Sequence, residues 1–88
     1  MILTAFLALA LTPKTLPREV RAYVARREKC DHFRGEDSPD AARQREIESA
    51  TIRFCTGADR QLARLKRQYA HNRAVQRRLG RYDPRIED

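Results

Sequence analysis

The stretch ADRQLARLKRQY, residues 58–69, places Ala58, Leu62, Leu65 and Tyr69 at i, i+4, i+7 and i+11. Four apolar side chains at that spacing line one face of an α-helix, because its turn holds 3.6 residues. The positions between them are polar or charged apart from Ala63. A helix with one apolar stripe must bury it against other elements, so the rest of the chain has to supply facing helices.

The flanking sequence predicts them. A first helix is expected from about Pro17 to Phe33. Pro17 suits a first turn, Glu19 favours the positive N-terminal end, and Gly35 follows the other end. Its stripe is Leu16, Val20, Tyr23, Val24 and Cys30. A second helix opens at Ser38-Pro39-Asp40, with Ser38 as N-cap and Pro39 at the first helical position. It carries Ile47, Ala50, Thr51, Phe54 and Cys55 inward and ends at Gly57. The third helix starts near Ala58 with Thr56 or Gly57 as cap, and Asn72 breaks it. A short fourth helix sets Val75, Leu79 and Tyr82 on one face before Asp83-Pro84 stops it, with the last residues frayed. No stretch alternates with the two-residue period of a strand. The expected fold is all-α, a small bundle of three to four helices.

With 88 residues there is room for one domain. Leu, Ile, Val and Phe number 18, and six of these lie in residues 1–11. The remaining chain therefore has a thin core, which excludes a multidomain enzyme, a large enclosed active site and a polytopic membrane protein. The run ILTAFLALAL, residues 2–11, is closed by Pro13. It is too short to cross a bilayer, for which about 20 apolar residues are needed. It has the length of a signal-peptide apolar region, and Ala8-Leu9-Ala10 has the form of a cleavage site. No basic residue precedes it, so a complete signal would need sequence upstream of Met1. Residues 1–12 are accordingly read as a signal-like or incomplete leader, and 13–88 as a single helical domain. The localisation this implies is periplasmic or secreted, with a cytoplasmic protein as the alternative.

Two cysteines, Cys30 and Cys55, fit the same compartment. In an oxidising environment an even count in a chain with a thin core reads as one disulfide, here with a single possible connectivity. The bridge carries a geometric condition. Cys30 lies near the end of the first helix and Cys55 at the far end of the second, so a tight antiparallel hairpin would separate the sulfurs. Residues 33–39 must extend away from the first helix if the second is to return to Cys30.

Charge is the sharpest feature. The chain carries a net charge of +7. Residues 1–59 nearly balance, whereas Arg60, Arg64, Lys66, Arg67, Arg73, Arg77, Arg78 and Arg81 stand in residues 60–82 without a single acid. If the stripe of Leu62, Leu65, Tyr69, Val75 and Leu79 turns inward, these arginines turn outward, and few are neutralised locally, with acids on the second helix such as Glu46 and Glu48 expected to reach some. Such a face suits a polyanion, an anionic membrane surface or an acidic protein. A solvated face explains the same pattern. Nothing in the segment reads base edges, so sequence-specific nucleic-acid recognition is not expected, and only Tyr69 and Tyr82 are placed to stack on bases.

The remaining constellations are weaker. Glu36-Asp37-Ser38-Pro39-Asp40 lacks the alternating ligands of a calcium loop and reads as a helix start. Cys30, His32, Cys55 and His71 make a poor zinc set, because Cys-x-His is a bad chelating spacing and His71 is remote. A Cys–His nucleophile would lack an orienting group and an oxyanion site. No metal, cofactor or catalytic activity is expected.

The segments CDHFRGE (30–36), CTGAD (55–59) and LARLKRQY (62–69) resemble those of short, exported, uncharacterised proteobacterial proteins. The resemblance spans roughly residues 17–82 and implies an exported helical protein with a paired-cysteine framework. The chain is also similar, more distantly, to LprI-type lysozyme inhibitors, which are small, helical, cysteine-bridged and periplasmic. It departs from them in its two cysteines and basic surface, since an inhibitor of a basic lysozyme should present acids. Three functions follow as expectations. The first is a small exported, non-catalytic binding or envelope-associated module with a basic face. The alternatives are a cytosolic nucleic-acid-binding protein using residues 60–81, and an inhibitor of a secreted enzyme.

Overall fold

Helical periodicity becomes four helices in the computed structural model, which describes residues 16–87. They are α1 (Arg18–Arg34), α2 (Ala41–Cys55), α3 (Ala58–Gln68) and α4 (Arg73–Leu79), and the described residues contain no strand. The leader expected at residues 1–12 lies outside the described residues. No described helix is long and apolar enough to cross a membrane.

The core forms where three stripes meet. Val20 and Tyr23 of α1, Leu62 and Leu65 of α3, and Val75 and Leu79 of α4 are buried together with Tyr82. Leu16, Val24 and Tyr69 pack around them. The Tyr23 and Tyr82 rings meet edge-on at 6.1 Å, the arrangement favoured by the aromatic quadrupole. Asn72 both breaks and starts a helix, its side-chain oxygen accepting from the Val75 N–H that opens α4. The Gln76 amide donates to the Lys66 and Tyr69 carbonyls at 3.0 and 2.9 Å. Carbonyls at a helix end lack intrahelical partners, so this one side chain fixes α4 against the end of α3.

The second helix starts two residues later than the Ser38-Pro39 signal implied. Asp40, not Ser38, is the N-cap of α2, accepting from the Arg43 N–H at 2.8 Å. The Ser38 hydroxyl instead accepts from the Asp40 N–H, and the Ser38 N–H donates to the Gln44 side chain. Pro39 therefore sits in the connecting loop. At the other end of α2, the chain turns through Gly57 at φ 83°, a left-handed conformation suited to glycine, and enters α3. Arg26 holds that turn from α1, donating to the Phe54 and Thr56 carbonyls and to Gln61.

Cys30 and Cys55 are bridged, with Cα atoms 5.0 Å apart. The geometric condition is met by overshoot. Fourteen residue steps of α2 cover about 21 Å, whereas α1 runs only about 6 Å past Cys30. The six residues 35–40 span the remaining ~15 Å, within their extended reach. Much of α2 therefore projects beyond the end of α1, and only Ile47 and Cys55 of its 15 residues are buried.

The tail departs from expectation too. Residues 83–87 are docked rather than frayed. The Glu87 carboxylate accepts from the Gly57 and Asp59 N–H groups at 3.0 and 2.9 Å. Asp59 in turn accepts from the Ile86 and Glu87 N–H groups. Helix α3 has no side-chain cap at Gly57, so Glu87 supplies an acceptor for its otherwise unpartnered donors. The pairing joins residues nearly thirty positions apart, beyond the reach of a local reading.

Candidate functional site

The eight basic residues of the 60–82 segment separate into two groups. Arg60, Arg64, Arg67, Arg73, Arg77 and Arg81 are exposed, and Lys66 and Arg78 are half-buried. The helical register explains this, since Leu62 and Leu65 of α3, and Val75 and Leu79 of α4, take the inward positions.

Two members of the set are tied down. Arg64 donates to Gln68 at 2.9 Å and lies 3.8 Å from the Glu19 carboxylate. Arg78 reaches Glu28 at 3.3 Å and covers the Tyr82 ring, its guanidinium carbon 5.0 Å from the centroid. For Arg60, Lys66, Arg67, Arg73, Arg77 and Arg81, no carboxylate among the described residues lies within 4.0 Å. The acids expected to reach this segment do not. Glu46 lies 3.8 Å from Arg43 of its own helix, and Glu48 accepts from Gln44. The acids that do reach it, Glu19 and Glu28, come from α1. Where α3 meets α4, Ala70, His71, Arg73, Gln76 and Arg77 line an open depression.

The two tyrosines considered for base stacking are committed elsewhere. The Tyr69 hydroxyl donates to Glu19 at 2.6 Å, and that bond pushes its pKa up. Tyr82 is buried, and burial raises its pKa.

The zinc constellation fails on chemistry. The Cys30 and Cys55 sulfurs are joined to each other and offer no thiolate. His32 lies against Glu36 at 3.3 Å. The acidic loop is a helix start: Asp40 caps α2, and Glu36 pairs with Arg43 at 2.8 Å.

Sequence reasoning missed Arg27. It is 1% exposed and sits at the centre of a polar network inside the core. Its guanidinium donates to Asp31 at 2.9 Å, to the Tyr23 hydroxyl at 3.1 Å and to the Asp83 carbonyl at 3.0 Å. It also lies 4.7 Å from the Tyr82 ring centroid. The Tyr23 hydroxyl passes the connection on, donating to the Ala58 carbonyl. One buried cation thus links α1 to the start of α3 and to the tail. Burial pulls the Arg27 pKa down, but its bonds to Tyr23 and Asp31 outweigh that and raise it. Burial likewise pushes Asp31 up, yet the Arg27 and Arg34 guanidinium groups hold it below its ordinary value. Desolvation raises the Tyr23 pKa, keeping the hydroxyl protonated to donate. The signal was in the spacing: Val20, Tyr23, position 27 and Cys30 form one i, i+3, i+7, i+10 line.

No protein-family model matches the chain, and no curated protein or solved structure is found similar to it.

Proposed function

We propose that this protein is a small exported, non-catalytic module that binds polyanions through the outward faces of α3 and α4. The observation that carries the reading is that, among the described residues, no carboxylate lies within 4.0 Å of exposed Arg60, Arg67, Arg73, Arg77 or Arg81. Cations held without counter-charges gain free energy by releasing the counterions condensed on a polyanion. The mode is electrostatic and without sequence preference, because the tyrosines that would stack on bases are engaged in the protein's own packing. The leader-like residues 1–12 and the Cys30–Cys55 bridge support an oxidising compartment, periplasmic or extracellular, over the cytosol.

Heparin-column retention tests this reading. The protein is expected to elute at high salt, and an Arg67→Glu, Arg73→Glu, Arg77→Glu variant much earlier. Arg78→Gln should matter less, since Arg78 already serves Glu28 and Tyr82. Equal retention of the triple variant and the natural sequence would overturn the proposal.

A further inference from the structure

Ile52 is 68% exposed, and it is the large hydrophobic side chain left uncovered among the described residues. It does not stand alone. Phe33 of α1 and Ile47 and Ile52 of α2 line one depression, rimmed by Arg34, Glu36, Asp37, Gln44 and Glu48. The overshoot of α2 past the end of α1 creates it.

The rim has a definite charge. Arg34 shares the Asp31 carboxylate with buried Arg27, at 3.0 and 2.9 Å, and Glu36 pairs with Arg43 at 2.8 Å. Asp37 and Glu48 have no cationic group within 4.0 Å among the described residues. A chain with a net charge of +7 thus presents two uncompensated carboxylates around an apolar floor. We infer that this α1–α2 groove docks a cationic amphipathic segment of another protein, its apolar residues on Phe33 and Ile52 and its Lys or Arg residues against Asp37 and Glu48. Opposite charge at the rim fixes register and excludes wrong partners, while the apolar contact supplies affinity. Among its described residues, a second copy of this chain does not offer that combination. Its cations on α3 and α4 surround no exposed large apolar side chain, and its exposed Ile52 lies on the groove itself.

The test uses a fluorescent Leu/Lys peptide of about 14 residues, long enough for an amphipathic helix, and a neutral Leu/Gln peptide of the same pattern, read by fluorescence anisotropy. The Lys peptide is expected to bind the oxidised full chain at least about tenfold more tightly than the Gln peptide. Ile52→Ser should weaken the Lys peptide by about tenfold. Ile52 is exposed, so the substitution leaves the core intact. Asp37→Asn with Glu48→Gln should weaken binding and flatten its salt dependence. Arg73→Glu with Arg77→Glu should not weaken it, which separates this groove from the α3–α4 face. Equal binding of the two peptides, or Ile52→Ser without effect, overturns the proposal. So does a dimer in sedimentation equilibrium that Ile52→Ser dissolves, because it would assign the groove to a second copy.

Discussion

The two ends of α1 sit in different kinds of structure. Its N-terminal half faces α3 and α4, where Val20, Tyr23, Leu62, Leu65, Val75, Leu79 and Tyr82 are buried together. Its C-terminal half faces α2, where Cys30, Ile47 and Cys55 are buried and Phe33 stacks on Phe54 at 6.0 Å. The first region is held by apolar area removed from water. The second is held by a covalent bond, the Arg26 clamp and the Glu36–Arg43 pair. A chain with few large apolar residues spent them on one core and used the disulfide to retain a helix that core does not cover. Leaving α2 partly uncovered also leaves the groove at Ile52 open.

The comparison breaks first, and by most, in the core. Leu65 is fully buried, so Leu65→Ala should cost about 2–5 kcal/mol and lower the denaturant midpoint of the whole molecule. Ile52→Ala on α2 should change stability by less than about 0.5 kcal/mol, as for other exposed positions. Equal losses from the two substitutions in urea titrations would show that α2 and the bundle share one core.

Removing the bridge is the next largest effect and the more selective one. A loop of 25 residues closed by Cys30 and Cys55 is worth about 3 kcal/mol in the loop-entropy account. In a Cys30→Ser, Cys55→Ser variant, the amides of α2 should lose hydrogen-exchange protection first, while those of α3 and of α1 before Arg27 keep most of theirs. Uniform loss along the chain would mean that the bridge stabilises the bundle as a whole.

What was legible in the sequence follows the same division. Helix types and stripes came from local spacing, because 3.6-residue periodicity is written wherever a helix buries one face, and the cysteine pairing came from a count of two, which allows one connectivity. Leu62, Leu65, Val75 and Leu79 are buried as their register implied. Local capping rules did less well. Ser38 and Asp40 are both good caps, and the Asp40–Arg43 bond decided between them. Arg27 was hidden because a charged residue on an inward line looks like an interruption of the stripe, and its partners Asp83 and Tyr82 come from the far end of the chain. The candidate cations were legible as a set, from the lack of acids between Arg60 and Tyr82. Which of them are neutralised was not, because Glu19 and Glu28 approach from a helix some fifty residues away in sequence.

The smallest effect belongs to the tail, and pH isolates it. Glu87 accepts from the Gly57 and Asp59 N–H groups, and those two backbone bonds hold its carboxyl below its ordinary value. A carboxylate whose folded pKa is depressed contributes its stabilisation above the unfolded pKa and loses it as pH falls through the folded pKa. Tail docking should therefore be complete above the ordinary glutamate value of about 4.3. It should weaken progressively below that, while the bundle, held by apolar burial, remains folded. The Gly57 amide chemical shift should report the change. In Glu87→Gln it should sit near its acid-limit position at neutral pH and show no further step at low pH. The Leu65 amide, inside α3, should stay unmoved through the same titration. If the low-pH shifts of Gly57 persist in Glu87→Gln, another carboxylate holds the start of α3. If Leu65 moves with them, the tail and the core unfold as one unit, and the division between a bundle and its attached segments fails at this end of the molecule.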